Sequence, residues 1–186
     1  MPRWSRRRRP CWCRTPHRWP GCARWPRWLA SATPASTIVE LADGRWLATF
    51  DQWHAYTDDR PYKPIMLAFD SNDRGQSWRH KTVMADGAPL GKGFWHGKTI
   101  QLADDQLFTL YWAADMTQPE RGAVNLPIHY AITDKAAGQW SMPQPTNLPG
   151  QTNWPAVLPD GTLCAIYTLR EATQPGFLVA LSVDGG

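Results

Sequence analysis

The side chains with the chemistry to bind a metal ion lie close together near the start of the sequence. Cys11, Cys13, His17 and Cys22 are separated by only a few residues, and thiolates and imidazoles are common ligands of Zn²⁺. However, a Cys-x-Cys pair followed by a His and a Cys at these gaps matches no usual zinc spacing. Glycine-rich phosphate loops and paired histidine ligands are also missing from the sequence. We therefore expect no metal and no cofactor.

The same N-terminal segment is dominated by arginine and tryptophan. Residues 1–28 contain nine Arg, five Trp, five Pro and three Cys, and no acidic residue. Arginine neutralises phosphates and tryptophan stacks on bases, which favours nucleic-acid binding. The alternative is that a GC-rich stretch has been translated from a misplaced start or in a shifted frame. We interpret residues 1–32 as a disordered leader, with a mis-assigned start as one explanation.

The rest of the chain has the opposite charge. Once the nine arginines of the leader are set aside, eleven Lys and Arg remain against sixteen Asp and Glu, a formal charge of −5 for residues 29–186. An acidic domain repels nucleic acid, so we expect no nucleic-acid partner. No apolar run reaches the ~18 residues of a transmembrane helix, so we expect no membrane partner. The leader lacks the apolar segment of an export signal, and the compartment stays open.

The stretch Ser71 to Trp78, which reads SNDRGQSW, follows an apolar run and combines turn-forming residues with a carboxylate and an indole. Ser and Asp side chains accept backbone N–H groups in turns, and Gly supplies a positive φ. A tryptophan that returns after the turn can fill the space between neighbouring sheets. These residue types predict a structural role for the motif, with Asp73 as a turn residue.

Three segments of the chain repeat one pattern of two apolar strands joined by an acidic turn. They read IVELADGRWLATFD at 38–51, TIQLADDQLFTLYW at 99–112 and PAVLPDGTLCAIYT at 155–168. Asp43-Gly44 and Asp160-Gly161 between apolar runs predict β-hairpins with type I′ turns. Short strands bounded by turn residues indicate an all-β fold.

The SNDRGQSW motif recurs with the same period. TDKAAGQW at 133–140 has two residues more between Asp and Gly, and SVDGG at 182–186 matches the first half of the motif. Each repeat therefore contains a hairpin, a third strand, an Asp-Gly turn and a fourth strand, such as His80 to Met84 in the first repeat. Four antiparallel strands at a period of about 50–60 residues are typical of a propeller blade.

The motif resembles the Asp-box, Ser/Thr-x-Asp-x-Gly-x-x-Trp, of the sialidase-like (BNR repeat) propellers. Ser71 to Trp78 fits every fixed position, and the resemblance covers about residues 33–186. It implies part of a six-bladed β-propeller, with about three blades at 33–92, 93–150 and 151–186, the last of them truncated. A ring of blades that stops halfway leaves open edges. We therefore expect the N-terminal half of a longer protein, or a degenerate gene product.

The resemblance also implies the site residues. Sialidases carry an Asp acid/base between the second and third strands of the first blade, where Asp59 is the nearest match and Asp58 its alternate. Such a carboxylic acid protonates a leaving oxygen or activates water. A solvated turn is the alternative interpretation of these two residues.

The corresponding loop of the second blade contains Glu120, which the resemblance places at the position of a substrate-contacting glutamate in some sialidases; an ordinary surface residue is the alternative. In the third blade, Arg170 follows a strand whose end lines the sugar pocket in the family, and it could hold a carboxylate; a salt bridge with Glu171 is the alternative. The resemblance also places His96 and Lys98 in the general region of the propeller mouth, and a structural role is the alternative for His96.

The chain also departs from the family. Ala32 stands where the first arginine of the carboxylate clamp is expected, and the Tyr nucleophile of sialidases, its Glu and two further arginines come from later blades. The predicted function is a fragment of a sialidase-like glycoside hydrolase acting on terminal sugars of glycans, inactive as this isolated chain. The alternative is a non-catalytic Asp-box propeller that binds glycans or proteins. A glycan is the expected partner, and the oligomeric state stays open.

Overall fold

A computed structural model describes residues 37–52, 64–102, 106–118, 124–134, 138–151, 153–169 and 175–182 of the chain. Within these ranges the chain is built of β-strands, which form three antiparallel sheets that follow one another in the sequence. None of the described residues belongs to a helix long and apolar enough to cross a membrane. The predicted all-β architecture of consecutive blade-like sheets is confirmed.

The first sheet is a four-stranded meander in which each strand pairs with the next along the chain. Its strands are β1 (Thr37–Glu40), β2 (Trp46–Gln52), β3 (Ile65–Ser71) and β4 (Arg79–Asp86). The fourth strand, predicted around His80 to Met84, is thereby confirmed. A short 3-10 turn, Ala88–Leu90, leads into the second sheet.

The second and third sheets repeat this order. The second contains β5 (Lys92–Gln101), β6 (Leu107–Asp115), β7 (Val124–Asn125), β8 (His129–Ile132) and β9 (Gln144–Pro145). Its path is β5-β6-β8-β9, with β7 paired to the end of β6. The third contains β10 (Asn153–Val157), β11 (Leu163–Leu169) and β12 (Gly176–Ser182), in that order.

The predicted hairpins between β1 and β2 and between β10 and β11 are confirmed, but the predicted turn type is wrong. Gly44 and Gly161 have positive φ values of 82° and 87°, whereas the preceding Asp43 and Asp160 do not. Gly44 N–H donates to Leu41 O at 2.8 Å, which closes an ordinary turn before the left-handed glycine. This is the three-residue loop with a glycine bulge. Each Asp instead accepts the N–H two residues later, at 3.0 Å.

Strand pairing gives every sheet two distinct ends. At the turn end, the first two strands of each sheet meet in a hairpin, next to the pairs Glu40↔Trp46, Gln101↔Leu107 and Val157↔Leu163. The opposite end, which we call the loop end, carries the connection from the second strand to the third, next to Gln52, Asp115 and Leu169. The Asp73 turn joins β3 to β4 at the turn end, because Asp70 pairs with Arg79 there.

The first strands of the three sheets, β1, β5 and β10, lie side by side, and we call them the inner strands. β5 contacts both β1 and β10, and Thr99 N–H of β5 donates to Thr37 Oγ1 of β1 at 3.0 Å. The sheets pack through apolar faces. One cluster joins the first sheet to the second through residues such as Met66, Phe94 and Tyr111, and another joins the second to the third through Leu110 and Tyr167 among others.

The Asp73 turn has the structural role predicted for it. Asp73 Oδ1 accepts the N–H of Ser77 at 2.8 Å, and Asp73 Oδ2 accepts the Ser77 hydroxyl at 2.6 Å. Ser71 Oγ accepts the N–H of Gly75 at 2.8 Å, and Gly75 has a φ of 83°. Trp78 packs against Phe50 and its neighbours, which belong to the same first sheet. The indole therefore covers the face of the first sheet that carries Phe50.

The second copy of this turn keeps the carboxylate but not the hydroxyl. Asp134 Oδ1 accepts the N–H of Gly138 at 2.9 Å, so the Asp accepts the N–H four residues later, as Asp73 does. Thr133 Oγ1 accepts the N–H of Leu107, on the neighbouring strand, at 2.8 Å. In this copy the hydroxyl therefore binds a neighbouring strand, whereas the Ser71 hydroxyl binds an N–H group of its own turn. Asp184 of the third copy lies outside the described residues.

Candidate functional site

All four residues assigned to the site by resemblance lie outside the described residues. Asp58 and Asp59 fall in 53–63, Glu120 in 119–123 and Arg170 in 170–174. The strands that flank these three segments are described, and in each sheet they place the second-to-third connection at the loop end. The Asp73 turn lies at the opposite end of its sheet. The predicted assignments therefore stay predictions. The described residues nearest to them lie in the half of each sheet toward the loop end, which we call the loop-end half.

The inner strand β5 carries a bulge in this half. Trp95 pairs with Trp112 and Lys98 with Leu110, so His96 and Gly97 together face one residue of β6. His96 has a φ of 54°, a left-handed value that is uncommon outside glycine. Bulges re-aim side chains and are frequent beside active sites. The irregularity turns the His96 ring toward the same face as Trp95 and Lys98.

Gly97 is required by the packing of this bulge. A Cβ on Gly97 would lie 2.2 Å from Met66 Cε, and Met66 is fully buried in the core between the first two sheets. The absence of a side chain therefore lets β5 approach β3 closely. The first sheet in this way holds the backbone that presents His96.

Three aromatic rings are stacked at the bulge. The rings of Trp95 and Trp112 are 4.5 Å apart with an interplanar angle of 27°, and His96 lies over Trp112 at 6.0 Å and 8°. Trp112 Nε1 donates to Asn125 Oδ1 at 2.8 Å, and Gln151 Nε2 donates to the same oxygen at 3.1 Å. The stack is thus fixed by hydrogen bonds from β7 and from the start of the third sheet.

Lys98 brings a cation into the junction of all three sheets. Its side chain is only 8% exposed, and its Nζ lies 4.9 Å from the ring centroid of Trp154 on β10. Burial lowers the pKa of Lys98, and the charge of Asp51, at the end of β2, opposes this shift. Asp51 is itself fully buried. An ammonium of the second sheet and an indole of the third are therefore in contact near the loop end, and the charge of a buried carboxylate of the first sheet acts on the ammonium.

A large cavity of about 620 Å³ lies elsewhere, between the second and third sheets. Its lining is mostly apolar and includes Phe108, Leu110, Ala165 and Ala180. Neither the residues of the bulge nor Asp51, Lys98 or Trp154 line it. It is a crevice between neighbouring sheets and not the polar junction at the loop end.

The described residues contain no group of three or more His, Cys, Asp or Glu side chains that could hold a metal ion. Cys11, Cys13, His17 and Cys22 lie outside them. The chemistry available in the described part of the site is therefore that of a carboxylate, an ammonium, an imidazole and indoles.

Comparison with known proteins gives structural matches only. No family model matches the sequence, and no curated protein matches it significantly. A Hadza microbial sialidase superposes with a TM-score of 0.63 over 82% of this chain and 35% of its own, at 16% identity. A protein of unknown function from Dyadobacter fermentans gives 0.62 over 77% and 36%, also at 16% identity.

A family 117 glycoside hydrolase from Zobellia galactanivorans is similar as well, with a TM-score of 0.61 over 83% of this chain and 53% of its own at 16% identity. Identities this low establish the fold alone. The chain spans about a third to a half of the length of these structures. It shares with them an arrangement of consecutive antiparallel sheets.

Sequence reasoning singled out His96 and Lys98 but missed three residues that the structure places around them. Asp51 ends the first repeated segment, Trp112 ends the second, and Trp154 precedes the third. Their positions relative to the repeats were the available signal. A leucine precedes the hairpin turn in both repeats, Leu102 in the second and Leu158 in the third. Lys98 stands four residues before Leu102, and Trp154 stands four residues before Leu158. Equivalent positions on inner strands face one another, which explains their contact.

Proposed function

We propose that this chain contributes three blades to a six-bladed, sialidase-like glycoside hydrolase that acts on terminal sugars of glycans. The observation that carries the proposal is the repeated topology. In each of three adjacent sheets the second-to-third connection lies at the loop end, and these connections contain Asp59, Glu120 and Arg170. Solved structures with this fold include proteins named as a sialidase and as glycoside hydrolases of families 117 and 43, which supports a carbohydrate substrate.

In this proposal Asp59 is the acid/base, with Asp58 as its alternate. A carboxylic acid at this position would protonate the leaving glycosidic oxygen and then activate water. Glu120 would contact the hydroxyl groups of the sugar, and Arg170 would hold an acidic group through its planar fork. The turns at Asp73 and Asp134 are the Asp-boxes of the blades and take no part in the reaction.

The test is hydrolysis of a panel of fluorogenic glycosides by the protein expressed from its complete reading frame. Asp59→Asn should lower kcat by about 10²–10⁴-fold, the usual contribution of general acid/base catalysis. Asp160→Asn is the matched control, because Asp160 is an exposed carboxylate at the turn end. Absence of release from every glycoside, in a protein that still binds glycans, would favour the non-catalytic binding propeller.

A further inference from the structure

Two inner strands place a buried cation against an exposed indole. Lys98 of β5 is only 8% exposed, whereas Trp154 of β10 is 57% exposed. The ammonium lies 4.9 Å from the indole centroid. A cation over an aromatic face gains electrostatic energy, and more so when it is removed from water. The contact therefore fixes the ammonium in place beside an aromatic surface that solvent can still reach.

The ammonium has capacity for a further partner. Lysine can donate three hydrogen bonds, and within the described ranges neither a hydrogen bond nor a salt bridge is formed by Lys98 Nζ. The negative charge that acts on it from the described residues is Asp51, on the first sheet. Charges in a partly buried site interact more strongly than in water. An anion that reached Nζ would thus interact more strongly with this ammonium than with that of an exposed lysine.

The bulge before Lys98 extends this surface toward the loop end. His96 stacks on Trp112, and its left-handed backbone is a strained arrangement of the kind that clusters at ligand sites. Trp112 is two residues from Leu110, the partner of Lys98, about 7 Å along the strand. One ammonium and a row of aromatic rings therefore continue over roughly the length of one sugar ring.

We propose that Lys98 and Trp154 form a subsite for an acidic sugar unit, with the carboxylate or sulfate group on Lys98 Nζ and the apolar face of the ring on Trp154. This inference rests on the proposed function, because it names the substrate class of the same glycan-binding end. It assigns recognition of the acidic group to a lysine at the junction of the sheets. Arginine is not required at Ala32 for this contact.

The experiment measures binding to the whole chain by calorimetry and by tryptophan fluorescence. The probes are a uronate-terminated disaccharide, a galactose-6-sulfate disaccharide, neutral lactose and sodium sulfate. We expect both acidic disaccharides to bind at least about tenfold more tightly than lactose, since a hydrogen bond to a charged group is being added. The uronate and the sulfate ester distinguish the two sources of negative charge, and inorganic sulfate alone should bind weakly because it cannot use Trp154.

Four variants separate the effect of the charge from that of the structure. Lys98→Met keeps the buried stem and should reduce the affinity for acidic disaccharides to that for lactose, whereas Lys98→Arg should retain most of it. Arg79→Met, which removes an exposed cation at the turn end of the first sheet, is the control and should bind like the wild type. Trp154→Ala should weaken acidic and neutral sugars together. In wild type, added NaCl should weaken only the acidic sugars, which gives a test that is independent of how the variants fold.

The outcomes distinguish this inference from the proposed function. Equal binding of lactose and acidic disaccharides, or unchanged binding by a folded Lys98→Met, would overturn the acidic subsite and leave glycan binding intact. Sulfate binding as tight as that of the sulfated sugar would also overturn it, since no sugar is then recognised. Failure of the wild type to bind any of the sugars would overturn the subsite, whereas the proposed function is tested separately by hydrolysis with the protein from the complete reading frame.

Discussion

Thr49 of the first sheet and Thr99 of the second share a hydrogen bond between their hydroxyl oxygens, at 3.0 Å. Thr99 continues the chain to Thr109 at 2.7 Å, and Thr49 continues it to Thr37 at 3.1 Å. Thr49, Thr99 and Thr109 are at most 2% exposed. This row of hydroxyls therefore ties the first two strands of the first sheet to the first two strands of the second. Thr99 directly follows Lys98 of the candidate site on β5.

Removal of one hydroxyl from this row should be costly. Thr99→Val keeps the shape of the side chain but removes the hydroxyl that Thr109 bonds and one of the two that Thr49 bonds, so we expect a loss of about 1–3 kcal/mol in the free energy of unfolding. The triple variant with valine at positions 49, 99 and 109 should cost less than the sum of the single changes. Urea unfolding measures both. Strict additivity of the three changes would show that the hydroxyls do not act as a network.

Alanine is usually more stable than glycine in a strand, but the left-handed backbone of His96 predicts the reverse order at this position. Both His96→Gly and His96→Ala remove the ring from Trp112, but only glycine relieves the φ of 54°. We therefore expect the glycine variant to be more stable by about 1 kcal/mol. Val83, an exposed residue of β4, is the control, where glycine should be the less stable variant. The same order at both positions would argue against strain at His96.

The buried His129 predicts lower stability in mild acid. Its side chain is 2% exposed, and its Nδ1 lies 2.8 Å from Pro127 O. Burial lowers the pKa of His129, with Lys92 acting in the same direction and the Pro127 carbonyl opposing it. The unfolded chain then binds a proton, near its ordinary pKa of about 6.5, that the folded chain resists. Stability should consequently fall as the pH drops below about 6.5.

The measurement for His129 is urea unfolding at a series of pH values, in wild type and in His129→Phe. A single proton can contribute a slope of at most about 1.4 kcal/mol per pH unit. As the pH falls from the ordinary histidine pKa of about 6.5 to the lowered pKa of His129, the free energy of unfolding of the wild type should decrease relative to that of the variant. Parallel profiles for the two proteins would show that His129 is not the group responsible.

The Asp73 turn predicts a second loss of stability at lower pH. Hydrogen bonds from Ser77, and then from Ser71, lower the pKa of Asp73 to about 2. Because the folded pKa is below the unfolded one, the stabilisation is complete above an ordinary carboxyl pKa of about 3.9 and is lost as the pH falls toward 2. Thermal unfolding of Asp73→Asn should show a weaker pH dependence in this window. The pH dependence of Ser77→Ala should lie between those of Asp73→Asn and the wild type.

Local turn chemistry and the period of the repeats were enough to predict the sheets. The Asp-Gly pairs located the hairpins, although the turn type was wrong because only Gly44 and Gly161 take a positive φ. The Asp of each pair instead accepts the N–H of the residue two positions later. SNDRGQSW predicted its own hydrogen bonds because all its partners lie within the motif.

Contacts between sheets could not be predicted in the same way. Asp51, Lys98 and Trp154 come from three sheets and are more than forty residues apart in sequence. Their approach depends on the bulge at His96 and on the fit of Gly97 against Met66. Neither feature has a local sequence signature that separates it from an ordinary strand. Only the alignment of the three repeats, which places Lys98 opposite Trp154, could have indicated this contact.

The most direct test of the account is where a glycan binds on the chain. Hydrogen–deuterium exchange with and without a saturating uronate-terminated disaccharide would map the contact to one end of the sheets. We predict protection in residues 53–63, 119–123 and 170–174 and in the loop-end half of β5. Protection confined to the turn end, around Asp43, Asp73 and Asp160, would contradict the account, as would an exchange pattern that the glycan leaves unchanged.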